Sequence, residues 1–141
     1  MNKELVAEAS IEINASPAAI WNVLTDPVII KEWLFGTNAD TDWKVGSTIA
    51  FTGEYDGHIY HDKGNVLECV ENELLKYNYW AQYSGLEDAP ENYASVTYRI
   101  RALEGKTELT WIQQGFANEK GQQHTQQGLP AMLLAIKELS E

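Results

Sequence analysis

Polar and apolar residues alternate along most of the chain as far as Phe116, which is the pattern of half-buried β-strands. In the first such stretch, Glu4–Asn14, the odd positions carry Leu, Ala and Ile while all even positions except Val6 are polar. The later stretches assigned as strands are Ser47–Tyr55, His58–Val70, Leu74–Tyr83, Tyr93–Leu103 and Thr107–Phe116. The pattern predicts an antiparallel sheet of about six strands.

Two short helices are predicted directly after the first strand. Ser16 and Pro17 supply an N-cap and a first-turn proline, and Asp26-Pro27 marks the end of the first helix. Val28–Leu34 repeats the helical spacing of apolar residues and predicts the second helix. The polar segment 36–46 that follows is interpreted as a loop.

Asn118–Leu139 is predicted to be the only long helix. Its apolar residues fall at the spacing i, i+3, i+4 and i+7, which places them on one face: Leu129, Met132, Leu133 and Ile136. Pro130 removes one backbone donor, so a kink is expected nearby. A long helix with one apolar face needs a partner. We therefore expect an α+β fold in which a curved antiparallel sheet wraps around this C-terminal helix, as a single domain over residues 1–141.

Net charge, cysteine content and the first residues of the chain bear on the expected partners and compartment. The chain has 21 acidic and 10 basic residues, a formal charge of −11, which disfavours binding to nucleic acid or to anionic membranes. Cys69 is the single cysteine and cannot form an internal disulfide. The first residues alternate and do not resemble a signal peptide, and no apolar run approaches the ~18 residues of a membrane span. We expect a cytoplasmic protein.

The order of several short motifs resembles a known family, the activator-of-heat-shock-chaperone-ATPase-like proteins of the START-like superfamily. The motifs span nearly the whole chain: Ile13-Asn14-Ala15-Ser16-Pro17, Ile20-Trp21, Leu24-Thr25-Asp26-Pro27, Lys31-Glu32-Trp33, Trp43-Lys44-Val45-Gly46-Ser47, Gly64-Asn65-Val66-Leu67-Glu68, Lys106-Thr107-Glu108-Leu109-Thr110 and Gly128-Leu129-Pro130. The resemblance implies a helix-grip fold with an elongated apolar cavity between the sheet and the long helix. Leu129 departs from it, since relatives often carry tryptophan there.

The strand parities place several aromatic and polar side chains opposite Met132 and Leu133 of the long helix, where they would line such a cavity. Trp33 and Tyr79 are expected near its mouth. The candidate ligand-binding residues are Trp33, Phe51, Tyr55, Tyr79, Tyr98, Trp111, Gln113, Leu129, Met132 and Leu133. A filled core is the alternative interpretation of the same aromatic residues. Trp43 and Tyr83 are expected to be exposed, where they would offer a surface for a homodimer.

Metal binding and catalysis have weaker sequence support. His58 and His61 are three residues apart on one strand and so point to opposite faces, which argues against chelation. No nucleophile or phosphate-loop motif occurs, so no catalytic residue, metal or cofactor is predicted. His124 near Tyr98 or Gln113 is the one candidate for an acid–base group, and a solvent-facing histidine is the alternative.

Three functional hypotheses follow. The first is a binding protein for a small apolar or aromatic ligand. The second is an interaction module that regulates a chaperone ATPase through its outer surface, and it predicts a filled core. The third is a cyclase-like or hydrolytic enzyme that uses His124.

Overall fold

The elements follow one another in the order strand, two short helices, six strands and a long helix in the computed structural model, which describes residues 1–141. The strands are β1 (Asn2–Ile13), β2 (Asn38–Asp40), β3 (Thr48–Tyr55), β4 (His58–Val70), β5 (Leu74–Trp80), β6 (Ala94–Leu103) and β7 (Lys106–Phe116). The helices are α1 (Pro17–Thr25), α2 (Pro27–Trp33) and α3 (Glu119–Ser140), and a single 3-10 turn spans Pro90–Asn92. The predicted α+β helix-grip fold is confirmed.

All seven strands form one antiparallel sheet in the order β1-β7-β6-β5-β4-β3-β2. The first and last strands in sequence are therefore neighbours, with Ala9 opposite Trp111. The seventh strand, β2, is the one that the sequence analysis assigned to a loop. It has three residues, of which only Ala39 is buried, so it is too short to show an alternating pattern.

The helix starts are set by side-chain caps. Ser16 Oγ accepts from the backbone N–H of Ala19 at 3.1 Å and begins α1, as predicted. Asp26 closes α1 and also caps α2, because its Oδ1 accepts from the backbone N–H of Val28 at 2.9 Å. Pro27 is thus the first residue of α2 as well as the stop after α1. Asn118 caps α3 in the same way.

Strand β5 ends at Trp80, three residues earlier than predicted. The backbone N–H of Gln82 turns to Asp62 Oδ1 at 2.9 Å, and Gln82 Oε1 accepts from the backbone N–H of His61 at 2.8 Å. These two hydrogen bonds to side chains take the place of backbone hydrogen bonds between β4 and β5, so the strand pairing ends here. Tyr83 consequently lies in the loop, 65% exposed, with its hydroxyl donating to the carbonyl of Ile59.

Helix α3 lies along β1 and packs against α1 and β7. Its buried side chains, Leu129, Leu133 and Ile136, are three of the four predicted from the helical spacing; Met132 is half-buried. Helices α1 and α2 contact each other, and α1 also contacts β6 while α2 contacts β2. The two short helices therefore cover the part of the inner sheet face that α3 does not cover. None of the three helices combines the length and apolar character that crossing a membrane requires.

Candidate functional site

Four of the predicted lining residues meet in one aromatic cluster. Trp33 comes from α2, Phe51 from β3, Tyr98 from β6 and Trp111 from β7, and each is at most 7% exposed. The ring centroids of Tyr98 and Trp111 are 5.0 Å apart, and Trp33 packs edge-on against both, at 6.1 Å and 5.9 Å. Tyr77, which the sequence analysis did not select, joins the cluster through Phe51 and Tyr98.

This cluster fills the space between the sheet and the helices. The void beside it measures about 10 Å³, roughly the room of one water molecule. Leu129 and Leu133 are 0% and 1% exposed and belong to the same continuous core. In this structure the inner face is thus packed core, which is the alternative that the sequence analysis held beside a ligand cavity.

A much larger space, open to solvent, lies between α2 and α3. It is a solvent-accessible groove of about 660 Å³, lined by Glu32, Trp33, Phe35, His124, Gln127, Gly128, Ala131, Met132 and Ala135. Two of these residues, Trp33 and Met132, were among the predicted ligand-binding residues. Trp33 belongs to both the groove and the aromatic cluster, so it forms the wall between them.

Phe35 is one of the groove residues that the sequence analysis did not predict. It follows α2 with a left-handed φ of 53° and is 79% exposed. The following residues form the tight connection to β2, where the hydroxyls of Thr37 and Tyr60 are hydrogen-bonded at 2.6 Å. The only signal in the sequence is a large aromatic residue directly before a turn glycine, Gly36.

Tyr79 and Gln113 form a polar pair on the inner sheet face. Gln113 Nε2 donates to the Tyr79 hydroxyl at 2.9 Å, and Gln113 is only 7% exposed. Burial, reinforced by the nearby charge of Asp62, raises the pKa of Tyr79 to about 12. Burial likewise raises the pKa of Asp62 above its usual value. Tyr79 is therefore a neutral hydrogen-bonding group at physiological pH.

Tyr55 and Trp43 correct the sequence analysis. Tyr55 is opposite His58 at the end of β3, beside the turn at Asp56-Gly57, and is 79% exposed. The sequence analysis assigned Tyr55 to the same face of β3 as Phe51, and this was correct. The end of the strand, however, extends beyond the helices that cover the inner face of the sheet. Trp43, expected on the surface, is half-buried against the core, and its Nε1 donates to the carbonyl of Thr25 at 2.9 Å.

The histidines lie apart from one another. His58 and His61 pair with Tyr55 and Thr52, at ladder positions of opposite parity, and no group of three or more His, Cys, Asp or Glu side chains is placed to hold a metal ion. His124 is exposed at the groove, whereas Gln113 is buried on the sheet, and no hydrogen bond joins His124 to it or to Tyr98.

The fold and this arrangement define a helix-grip domain with an aromatic core and an open groove beside the long helix. The family model described as Activator of Hsp90 ATPase homolog 1-like protein matches residues 14–141. The chain belongs to that family. No curated protein matches it.

Solved structures agree with this assignment. The solution structure of ChR145 from Cytophaga hutchinsonii is 38% identical, covers 98% of this chain and 94% of that chain, and has a TM-score of 0.84. The Aha1 dimer from Colwellia psychrerythraea is 19% identical, with 96% of each chain covered and a TM-score of 0.74. PFC0360w, an HSP90 activator from Plasmodium falciparum, is 18% identical, with 92% and 91% covered and a TM-score of 0.69. The last two show likeness of fold alone.

Proposed function

We propose that this protein binds a small apolar or aromatic ligand in the groove between α2 and α3. The observation that carries the proposal is the groove itself: its volume of about 660 Å³ lies within the range of roughly 300–1,000 Å³ typical of small-molecule sites. A cofactor is not required for this function.

The lining of the groove suits a ligand with an apolar body and one polar end. Trp33 and Met132 supply apolar contact area, and the ring of Phe35 is exposed beside them. Glu32 and His124 place polar atoms in the same lining. Trp33 and Met132 are therefore the contacts proposed first. The other predicted ligand-binding residues of the inner face lie deeper, and a ligand would reach them only if the core side chains repacked. They are Phe51, Tyr79, Tyr98, Trp111, Gln113, Leu129 and Leu133.

A blocking variant tests the groove. Ala131 is exposed and lines the groove, so an Ala131→Trp side chain would occupy it without disturbing the core. We expect a panel of naphthalene-sized aromatic compounds to raise the melting temperature of the unaltered protein with increasing concentration, and to lose that effect in Ala131→Trp. Leu134→Trp is the matched control, because Leu134 is 47% exposed on the same helix but outside the groove. Equal ligand responses in the two variants would refute the site.

Regulation of a chaperone ATPase is the second candidate function. Its support is the filled interior beneath α3, which an interaction module predicts, together with the family description. We expect the purified domain to change the ATP turnover of the host's chaperone, and Ala131→Trp to keep that effect if the contact uses the outer surface. Unchanged turnover with no detectable complex would exclude this function.

A homodimer in the cytoplasm is the proposed setting for either function. A dimer is known for the Colwellia protein of similar fold, and in this chain Tyr55, Ile59 and Tyr83 are each more than half exposed around the β3–β4 hairpin. Cys69, the lone cysteine, is unpaired, which suits a reducing compartment. The mass in solution, compared with that of a Tyr83→Ser variant, would show whether this face assembles.

A further inference from the structure

The groove between α2 and α3 has an unpaired carboxylate in its lining. Glu32 is exposed at the end of α2, directly before Trp33. The chain forms four salt bridges, and none of them includes Glu32. The groove lining contains no lysine or arginine. The negative charge of Glu32 therefore has no partner in the protein, in a space that has room for a ligand.

The opposite wall of the groove, on α3, leaves that space open. His124 is exposed there and is the only side chain of the lining able to carry a positive charge, but no salt bridge joins it to Glu32. Between the polar groups α3 presents the small residues Gly128 and Ala131, and no atom lies within 4 Å of the position that a Cβ of Gly128 would take. The body of a ligand can thus lie against α3 while its polar end reaches Glu32.

Aromatic rings accompany the carboxylate on the α2 side. Phe35 is three residues after Glu32 and is 79% exposed, so the faces of its ring are accessible. Trp33 also lines the groove. The face of an aromatic ring attracts a cation electrostatically, and a carboxylate adds a charged hydrogen-bond acceptor. The combination favours an ammonium group over a neutral polar group.

The charge of the whole chain acts in the same direction. The formal charge of −11 attracts cations to the surface and repels anions. A ligand with a carboxylate would in addition place a second negative charge in the groove beside Glu32, with no lysine or arginine to balance it. Both the local and the overall field therefore disfavour an acidic ligand.

We propose that the ligand of the groove is an aromatic amine, whose protonated nitrogen pairs with the carboxylate of Glu32. This inference rests on the proposed function and names its ligand class. The ammonium group lies between Glu32 and the ring of Phe35, and the aromatic body of the ligand packs against Met132 on α3. The groove as it stands holds such a molecule, and no core side chain has to move.

Three probes of nearly equal size test the inference. At neutral pH naphthylmethylamine is a cation, naphthylmethanol is neutral and naphthoic acid is an anion. We expect the amine to bind about fivefold more tightly than the alcohol at low salt, and the acid to bind most weakly. Because the groove is open to solvent, about 500 mM sodium chloride should reduce the preference for the amine to about twofold.

Two variants separate the local carboxylate from the overall field. Glu32→Gln keeps the shape of the side chain and removes its charge, so the preference for the amine over the alcohol should fall to about twofold or less. Glu138→Gln is the matched control, because Glu138 is exposed on α3 outside the groove and its replacement changes the net charge by the same amount. The preference should persist in the control. Both positions are exposed, so both variants are expected to fold.

The methyl signal of Met132 reports whether a probe lies in the groove. The chain has two methionines, and only Met132 lines the groove. In a proton–carbon correlation spectrum the naphthalene ring should shift the Met132 methyl signal for the amine and for the alcohol, in the unaltered protein and in both variants. This shift tests the proposed function independently of the charge of the probe.

The possible results distinguish this inference from the proposed function. Equal affinity for the amine and the alcohol, with a shifted Met132 signal, overturns the amine inference and leaves a groove that binds apolar ligands. A preference for the amine that survives in Glu32→Gln, or tightest binding of the acid, also overturns the inference. If no probe binds, or if the probes bind without moving the Met132 signal, both the inference and the proposed site are wrong.

Discussion

Single residues decide how the inner face of this protein is divided. The Nε1 of Trp33 donates to the carbonyl of Val23, and its ring separates the packed aromatic cluster from the open groove.

Gly64 allows two strands of the sheet to approach each other closely. It pairs with Tyr79 of β5, and a Cβ atom there would lie 1.8 Å from the carbonyl oxygen of Asn78. Two strands can approach this closely only because the residue has no side chain.

Gly64→Ala should therefore be severely destabilising. We expect a loss of at least about 3 kcal/mol of unfolding free energy in urea, because backbone atoms must move apart. Gly128→Ala is the control: no atom lies within 4 Å of the added methyl group in α3, and the helix should gain about 0.5–1 kcal/mol. A Gly64→Ala protein as stable as the original would contradict the close approach.

The buried phenols predict a pH dependence on the alkaline side. The pKa of Tyr79 is raised to about 12 in the folded protein, from an ordinary value of 10.0, so folding favours its protonated form. The stabilisation is complete below pH 10 and is lost as the pH rises through about 12. Absorbance titration of tyrosine ionisation should show Tyr79 ionising only together with loss of the near-ultraviolet circular dichroism. A Tyr79→Phe variant should lack part of this transition; titration of all seven tyrosines near pH 10 would disprove the shift.

At the scale of elements, α3 does more than cover the core. The outer edge of β1 is a free sheet edge, and α3 shields it with glutamine side chains. Gln126 Oε1 accepts from the backbone N–H of Glu8 at 2.9 Å, and its Nε2 donates to the carbonyl of the same residue at 2.8 Å. Gln122 Nε2 donates to the carbonyl of Val6. The amide groups thus imitate a neighbouring strand, which protects the edge from pairing with another chain.

Removing this cover should have a double effect. Gln126→Ala is expected to cost about 1 kcal/mol, because two backbone groups lose their partner, and to increase self-association through β1. Urea unfolding would measure the loss of stability, and light scattering of the protein eluted from a size-exclusion column would measure self-association. Gln123→Ala serves as control, since Gln123 is an exposed neighbour on the same helix. Identical behaviour of the two variants would show that the edge needs no cover.

At the scale of the whole molecule, the excess of acidic residues acts on stability. The formal charge is −11, and only four salt bridges are formed, two of which link neighbours on adjacent strands: Arg101 with Glu108, and Lys106 with Glu12. Most acidic side chains are therefore unpaired and repel one another in the compact state.

Salt should consequently stabilise the protein. Raising sodium chloride from about 10 mM to about 150 mM shortens the Debye length to roughly 8 Å, and we expect the melting temperature to rise by about 2–5 °C. Sucrose at equal osmolarity is the control for a general solute effect. A melting temperature that falls with salt would mean that attractive pairs outweigh the repulsion.

Much of the fold was determined by the sequence itself. The alternation of β1, β3 and β6, the caps Ser16 and Asp26, and the helical spacing of Leu129, Leu133 and Ile136 are local signals, because each depends only on neighbours along the chain. They were sufficient to predict an α+β fold in which a curved antiparallel sheet wraps around the long helix. Strand parity also placed Phe51, Tyr98 and Trp111 on the inner face of the sheet, where they are buried.

Only the tertiary structure decided where the open space lies. Parity tells which face a side chain occupies, but the distance between α3 and the sheet decides whether that face encloses a cavity or a packed core, and a shift of about 1 Å changes the answer. The groove between α2 and α3 and the exposure of Tyr55 both depend on which elements distant in sequence meet and which do not. No pattern along one segment records such contacts.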